Sequence, residues 1–103
     1  MDIVYTSLNR RSRVFADPRS EVAEVLGTLW AHTTLEDGLE HASGRAERDR
    51  VDLLVYLLTL DPTASGFRSA THRANLLLHR CHAASPLMQR RYLPPDVPAQ
   101  PLH

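Results

Sequence analysis

The stretch "VDLLVYLLTL", Val51–Leu60, is interrupted by only Asp52 and Thr59 among its apolar residues. At helical spacing these side chains cover well over half of the circumference. A helix apolar on so many sides must be surrounded, either at the centre of a bundle or in a contact between subunits. The chain has 103 residues, the size of one domain with a single core, so it has little material to enclose such a helix. Leu54, Leu57, Leu58 and Trp30 are therefore the expected core or partner-contact residues, and a homodimer is expected.

The clearest helix is "DPRSEVAEVLGTLWAHT". Asp17 can cap it, Pro18 suits its first position, and Glu21 favours its positive end. Val22, Val25, Leu26 and Leu29 share one face, with Trp30 at its edge. "TTLEDGLEHASG" reads as a short second helix with Thr34 and Asp37 imitating a capping box, weakened by Gly38 and Gly44. "RAERDRVDLLVYLLTLDP" reads as the third, with Arg45–Asp49 and Arg48–Asp52 at i, i+4, ended by Asp61-Pro62. Ser69 caps a fourth helix, and Ser85-Pro86 starts a last turn or two, "PLMQRRYL".

The expected fold is mainly α, a bundle of about four to five helices. An extended or short β arm spans residues 1–16, where "DIVYTSLNRRSRVF" fits either an arm laid on the helices or a hairpin without good turn chemistry. The helices occupy 17–93. A mobile tail spans 94–103, holding four of the seven prolines. Its two PxxP patterns, from Pro95 and from Pro98, are common in such tails and carry little weight.

Charge excludes some functions. Twelve arginines balance twelve carboxylates, so no net field draws the chain to nucleic acid or anionic lipid. The complete preference for arginine over lysine fits a GC-rich, bacterial coding genome. One cysteine cannot form an intramolecular disulfide, and it suits a reducing compartment. "MDIVYTSLNRR" lacks the pattern of a signal peptide, and no apolar run approaches the roughly 20 residues of a membrane span, so a cytoplasmic protein is expected.

The densest chemistry lies in "THRANLLLHRCHAAS". On a helical wheel Ala70, Ala74, Leu77, Cys81 and Ala84 share one face, and His72, His79 and His82 lie opposite. The thiol and the imidazoles cannot ligate one metal from an intact helix. His72 and His79 stand roughly 10.5 Å apart along the axis, too far to share an ion. Only His79 and His82, at i, i+3, could do so, with ligands from elsewhere, and no HExxH pattern is present. Leu76 is the apolar residue stranded on the histidine side, where it can mark a face that meets a partner.

Catalytic and cofactor motifs are missing: no GxSxG, P-loop or GxGxxG occurs, and no cofactor is expected. Cys81 reads as a small buried hydrophobe. The leading expectation is a non-catalytic protein-interaction module that regulates or scaffolds a partner. The alternative is a helix-turn-helix-like DNA-binding regulator over residues 57–80, "LLTLDPTASGFRSATHRANLLLHR", with Arg68, Thr71, His72, Arg73 and Asn75 near the start of its second helix. A metal-binding protein using His79 and His82 is the third.

Overall fold

A computed structural model describes residues 1–12, 17–95 and 100–102. The chain runs β1 (Asp2–Asn9), α1 (Pro18–His32), a 3-10 turn at Leu35–Asp37, β2 (Leu39–Ala46), β3 (Arg50–Leu57), α2 (Ala70–Ala84), α3 (Pro86–Arg91) and β4 (Gln100–Pro101). The strands form one antiparallel sheet in the order β2-β3-β1-β4. Each helical crossover thus spans a strand contributed by the other half of the chain, the split βαβ arrangement. The fold is α/β, not the mainly α bundle of four to five helices that the sequence suggests.

The correction centres on Val51–Leu60. Residues Arg50–Leu57 are a central strand with strict alternation: Val51, Leu53, Val55 and Leu57 point into the core, and Asp52, Leu54 and Tyr56 point out. Because Leu54 and Tyr56 are apolar as well, the outward set does not stand out, and an apolar run on both sides of a strand imitates a buried helix. The second helix expected over residues 33–44 is not formed either: a 3-10 turn is followed by β2. Thr34 N–H does donate to Asp37 Oδ2 at 2.8 Å, as the capping reading requires, but the helix stops after one 3-10 turn.

A glycine accounts for that stop. Gly38 sits at φ 68, the left-handed conformation that ends helices. Gly44 lies on the core side of β2, where an added Cβ would come within 3.1 Å of both Leu53 and Val22; its absence lets α1 approach the sheet closely. The expected i, i+4 pairs Arg45–Asp49 and Arg48–Asp52 do not form. Arg45 pairs with Glu47 at 3.0 Å and Arg50 with Asp52 at 2.9 Å, which is the i, i+2 spacing of a strand.

At the N-terminus, Asp2–Asn9 is neither half of a hairpin nor an arm on the helices but a full strand beside β3, with Ile3 opposite Tyr56 and Leu8 opposite Val51. In the tail, Gln100 and Pro101 pair with Tyr5 and Val4 as a short edge strand, and Leu102 N–H donates to Ile3 O at 2.9 Å. Pairing of this kind uses backbone groups and needs no apolar side chains, and an edge position tolerates a proline. Residues 96–99 and 103 of the expected mobile tail, like residues 13–16 of the expected arm, lie outside the described residues.

The three helices form as the capping signals suggest. Asp17 Oδ2 accepts from Ser20 N–H, Ser69 Oγ from His72 N–H and Ser85 Oγ from Met88 N–H. Val25 and Leu29 of α1, Ala74, Leu77, Leu78 and Cys81 of α2, and Met88 of α3 join the inward side of the sheet in one core. Among the described residues, Thr6 Oγ1 on that inward side is the buried side-chain oxygen without a hydrogen-bond partner. Thr6→Val removes this orphan hydroxyl at nearly constant shape. It should stabilise the fold by about 1 kcal/mol, read as a higher urea midpoint with an unchanged m-value.

Candidate functional site: an apolar groove and an open sheet face

Among the described residues the helices cover one side of the sheet, and two partly exposed apolar surfaces stand out. The first lies where α1 ends, the 3-10 turn begins and β3 exits. Trp30, Leu35, Leu39 and Leu58 line a groove there, with Thr33, Thr34, Gly38 and Glu40. Trp30 is 47% exposed, Leu58 50% and Leu35 101%. Isolated exposed leucines are ordinary, but three large apolar side chains around one groove form a patch of the kind that meets partners.

The backbone beneath the groove is tied together by a buried arginine. Arg73 of α2 is 2% exposed and donates to three carbonyls: Nη1 to Asp37 O at 2.9 Å, Nη2 to Leu58 O at 2.9 Å and Nε to Arg68 O at 3.1 Å. Leu58 N–H in turn donates to Gly38 O at 2.8 Å. Beside it, Arg80 Nη1 donates to Asp37 Oδ2 at 2.7 Å and to His32 O at 3.1 Å. Burial by itself would raise the Asp37 pKa; hydrogen bonds from Arg80, Thr34 and Thr33 outweigh it and hold the carboxyl below its ordinary range.

The second surface is the open face of the sheet. Ile3, Tyr5 and Ser7 of β1 stand beside Tyr56, Leu54 and Asp52 of β3 in matched register, and His41 of β2 packs its ring 5.2 Å from that of Tyr56. One end of this face is apolar. At the other, Asp52 Oδ1 accepts from Ser7 Oγ at 2.7 Å, Tyr5 Oη at 2.9 Å and Arg50 Nε at 2.9 Å. Burial opposes ionisation of Asp52, but these three donors prevail and its pKa is lowered.

Of the residues expected to meet a partner, Trp30 and Leu58 come together at the groove and Leu54 lies on the open face. Leu76 is half-buried on α2, and Leu57 has 0% exposure and belongs to the core, out of a partner's reach. Leu35 was not expected. Its signal was faint: a leucine directly after the capping Thr34 has no helical face to join once Gly38 ends the turn.

The helix-turn-helix expected over 57–80 is not present, because the segment that should supply its first helix is strand and loop. Of its proposed reading residues, Arg73 is buried against carbonyls. Arg68 and His72 are exposed, Thr71 and Asn75 half-buried. On the histidine side of α2, His79 is exposed, whereas His82 Nε2 lies 3.1 Å from Tyr92 O. Among the described residues, no three metal-ligating side chains converge. Cys81 points into the core with 0% exposure, and burial pushes its thiol up to about 11. No described helix is long and apolar enough to cross a membrane.

No family model, curated protein or solved structure matches the chain.

Proposed function

We propose that the chain is a non-catalytic protein-interaction module that regulates or scaffolds a partner through the Trp30–Leu35–Leu58 groove, in the cytoplasm. The observation that carries the reading is the exposure of these three side chains around a groove whose floor Arg73 ties down. A preorganised apolar groove binds with little loss of conformational freedom, and a tryptophan at its rim is a common source of binding energy. The ionisable groups support the non-catalytic part. Glu21, Asp37 and Asp52 are each held ionised by donors that also join separate elements, and the Cys81 thiol is buried and protonated at neutral pH. The lone buried thiol suits a reducing compartment.

The test compares wild-type bait with Trp30→Ala and Leu35→Asp in affinity capture from the native host, followed by titration of the purified captured protein. Leu35 is fully exposed, so the second substitution should leave folding stability unchanged. Both substitutions should weaken the purified interaction at least about 10-fold. Equal affinity for all three chains, or no protein that binds wild type, removes this reading.

A further inference from the structure

Over its second half, residues 54–57, strand β3 is apolar on both sides, although the described helices cover only one. In an antiparallel sheet with one solvated face, the outward positions should be polar. Here Leu54 and Tyr56 of β3, with Ile3 and Tyr5 of β1, make one end of the open face apolar. That end has the pattern of a sheet covered on both sides, whereas Arg50 and Asp52 make the other end of β3 charged.

We propose that a second copy of this chain covers the open face, the two sheets packing face to face about a twofold axis parallel to the strands and midway between β1 and β3. The register gives this occupant a self-complementary contact. Cross-strand partners are Ile3 with Tyr56, Tyr5 with Leu54 and Ser7 with Asp52. The stated axis brings each residue over its own cross-strand partner in the other copy. Ile3 then meets Tyr56, Tyr5 meets Leu54, and the carboxylate of Asp52 meets the hydroxyl of Ser7. Apolar faces apolar, and no like charges are opposed. Such self-complementarity is what an isologous contact requires, and face-to-face sheets interdigitate their side chains in this way.

The charges agree. The chain carries no net charge, so two copies approach without long-range repulsion. Asp52 already has Arg50 at 2.9 Å and two hydroxyl donors, so covering it strands no unpaired charge. A nucleic acid fits this face poorly, because that carboxylate stands on it while the nearby Arg45 and Arg50 pair with Glu47, Asp49 and Asp52. The contact uses neither Trp30 nor Leu35, so it stands or falls separately from the groove.

Sedimentation velocity of the full chain across the micromolar range tests the proposal. Wild type and Trp30→Ala should sediment as dimers. Leu54→Arg, placing a charge at the centre of the contact, should weaken dimerisation at least about 100-fold while keeping a native circular dichroism spectrum. Hydroxyl-radical footprinting of the wild type needs no variant. Labelling of Tyr5 and Tyr56 should fall as concentration rises through the association, and that of Trp30 should not. A strict monomer at high micromolar concentration, a folded Leu54→Arg chain that still dimerises, or protection of Trp30 in place of the tyrosines overturns the proposal.

Discussion

Glu21→Gln should destabilise the fold by about 3–5 kcal/mol, because it removes one member of a buried ion pair and leaves the other charged. Arg10 and Glu21 are 3% and 2% exposed in their side chains. The guanidinium holds both carboxylate oxygens, Nε to Oε2 at 2.8 Å and Nη2 to Oε1 at 2.7 Å, and its Nη1 reaches Glu47 O. Tyr92 Oη donates to the same carboxylate at 2.7 Å. The carboxylate thus joins the start of α1 to the end of β1 and to the residue that follows α3, and Arg10 extends the link to the β2–β3 turn. A glutamine cannot offer two anionic oxygens to Arg10 and a third donor together. A domain of this size has about 5–15 kcal/mol in total, so urea unfolding should show a large loss of midpoint. The combined variant Arg10→Met, Glu21→Leu, Tyr92→Phe should recover part of the loss, since it removes both donors that the single change leaves unpaired while Glu47 O gives up its bond from Arg10.

The same carboxylate sets part of the acid response. Burial would raise the Glu21 pKa, but hydrogen bonds from Arg10 and Tyr92 overcome it and the net shift is downward from 4.5. Asp37 is shifted downward from 3.8 on the same balance. Folded, these groups release protons more readily than they do unfolded, so their ionisation stabilises the native state. That contribution is complete above their ordinary values and is lost as pH falls through the lowered ones. Wild type should therefore lose stability below about pH 4.5, and Glu21→Gln should lose less over the same interval.

How much of this was legible follows from how local each signal is. The caps Asp17, Ser69 and Ser85 act within three residues, and all three helices begin where those residues place them. The inward turn of Cys81 and the outward turn of His72 and His79 follow from helical spacing alone. Strand pairing has no such local mark. Ile3 and Tyr56 meet across more than half of the sequence, and nothing near either residue specifies the other. Alternation could still have marked β3, since Val51, Leu53, Val55 and Leu57 occupy every second position. The apolar residues Leu54 and Tyr56 filled the gaps and hid the period. Helices cover the inward side of that strand, and Leu54 and Tyr56 lie on its open face. Trp30 and Leu58 were visible as large apolar residues, but their meeting at the groove depends on where β3 ends relative to α1, which only the sheet fixes.

Arg73 shows the same limit from the opposite direction. Its charge near a helix start suggested nucleic-acid contact, yet it lies next to Ala74 and four residues before Leu77, on the inward side of α2. Arg73→Met should cost about 3–5 kcal/mol, because the carbonyls of Asp37, Leu58 and Arg68 all lose a charged donor, at about 1.5–3 kcal/mol for such a bond before any relaxation. The loss should be concentrated at the groove. Without the guanidinium, the only described backbone bond directly joining Gly38 to Leu58 is the one from Leu58 N–H, so that amide should exchange with solvent faster than the midpoint shift alone accounts for. Gly38→Ala provides the companion test. A Cβ there would come within 2.9 Å of Arg73 Nη1 and would force a side chain into the left-handed region, at roughly 1–2 kcal/mol for the backbone alone. In the Arg73→Met background, the added cost of Gly38→Ala should shrink towards that backbone value. Full additivity of the two substitutions would mean that the guanidinium does not sit against the turn, and the groove floor would then need a different support.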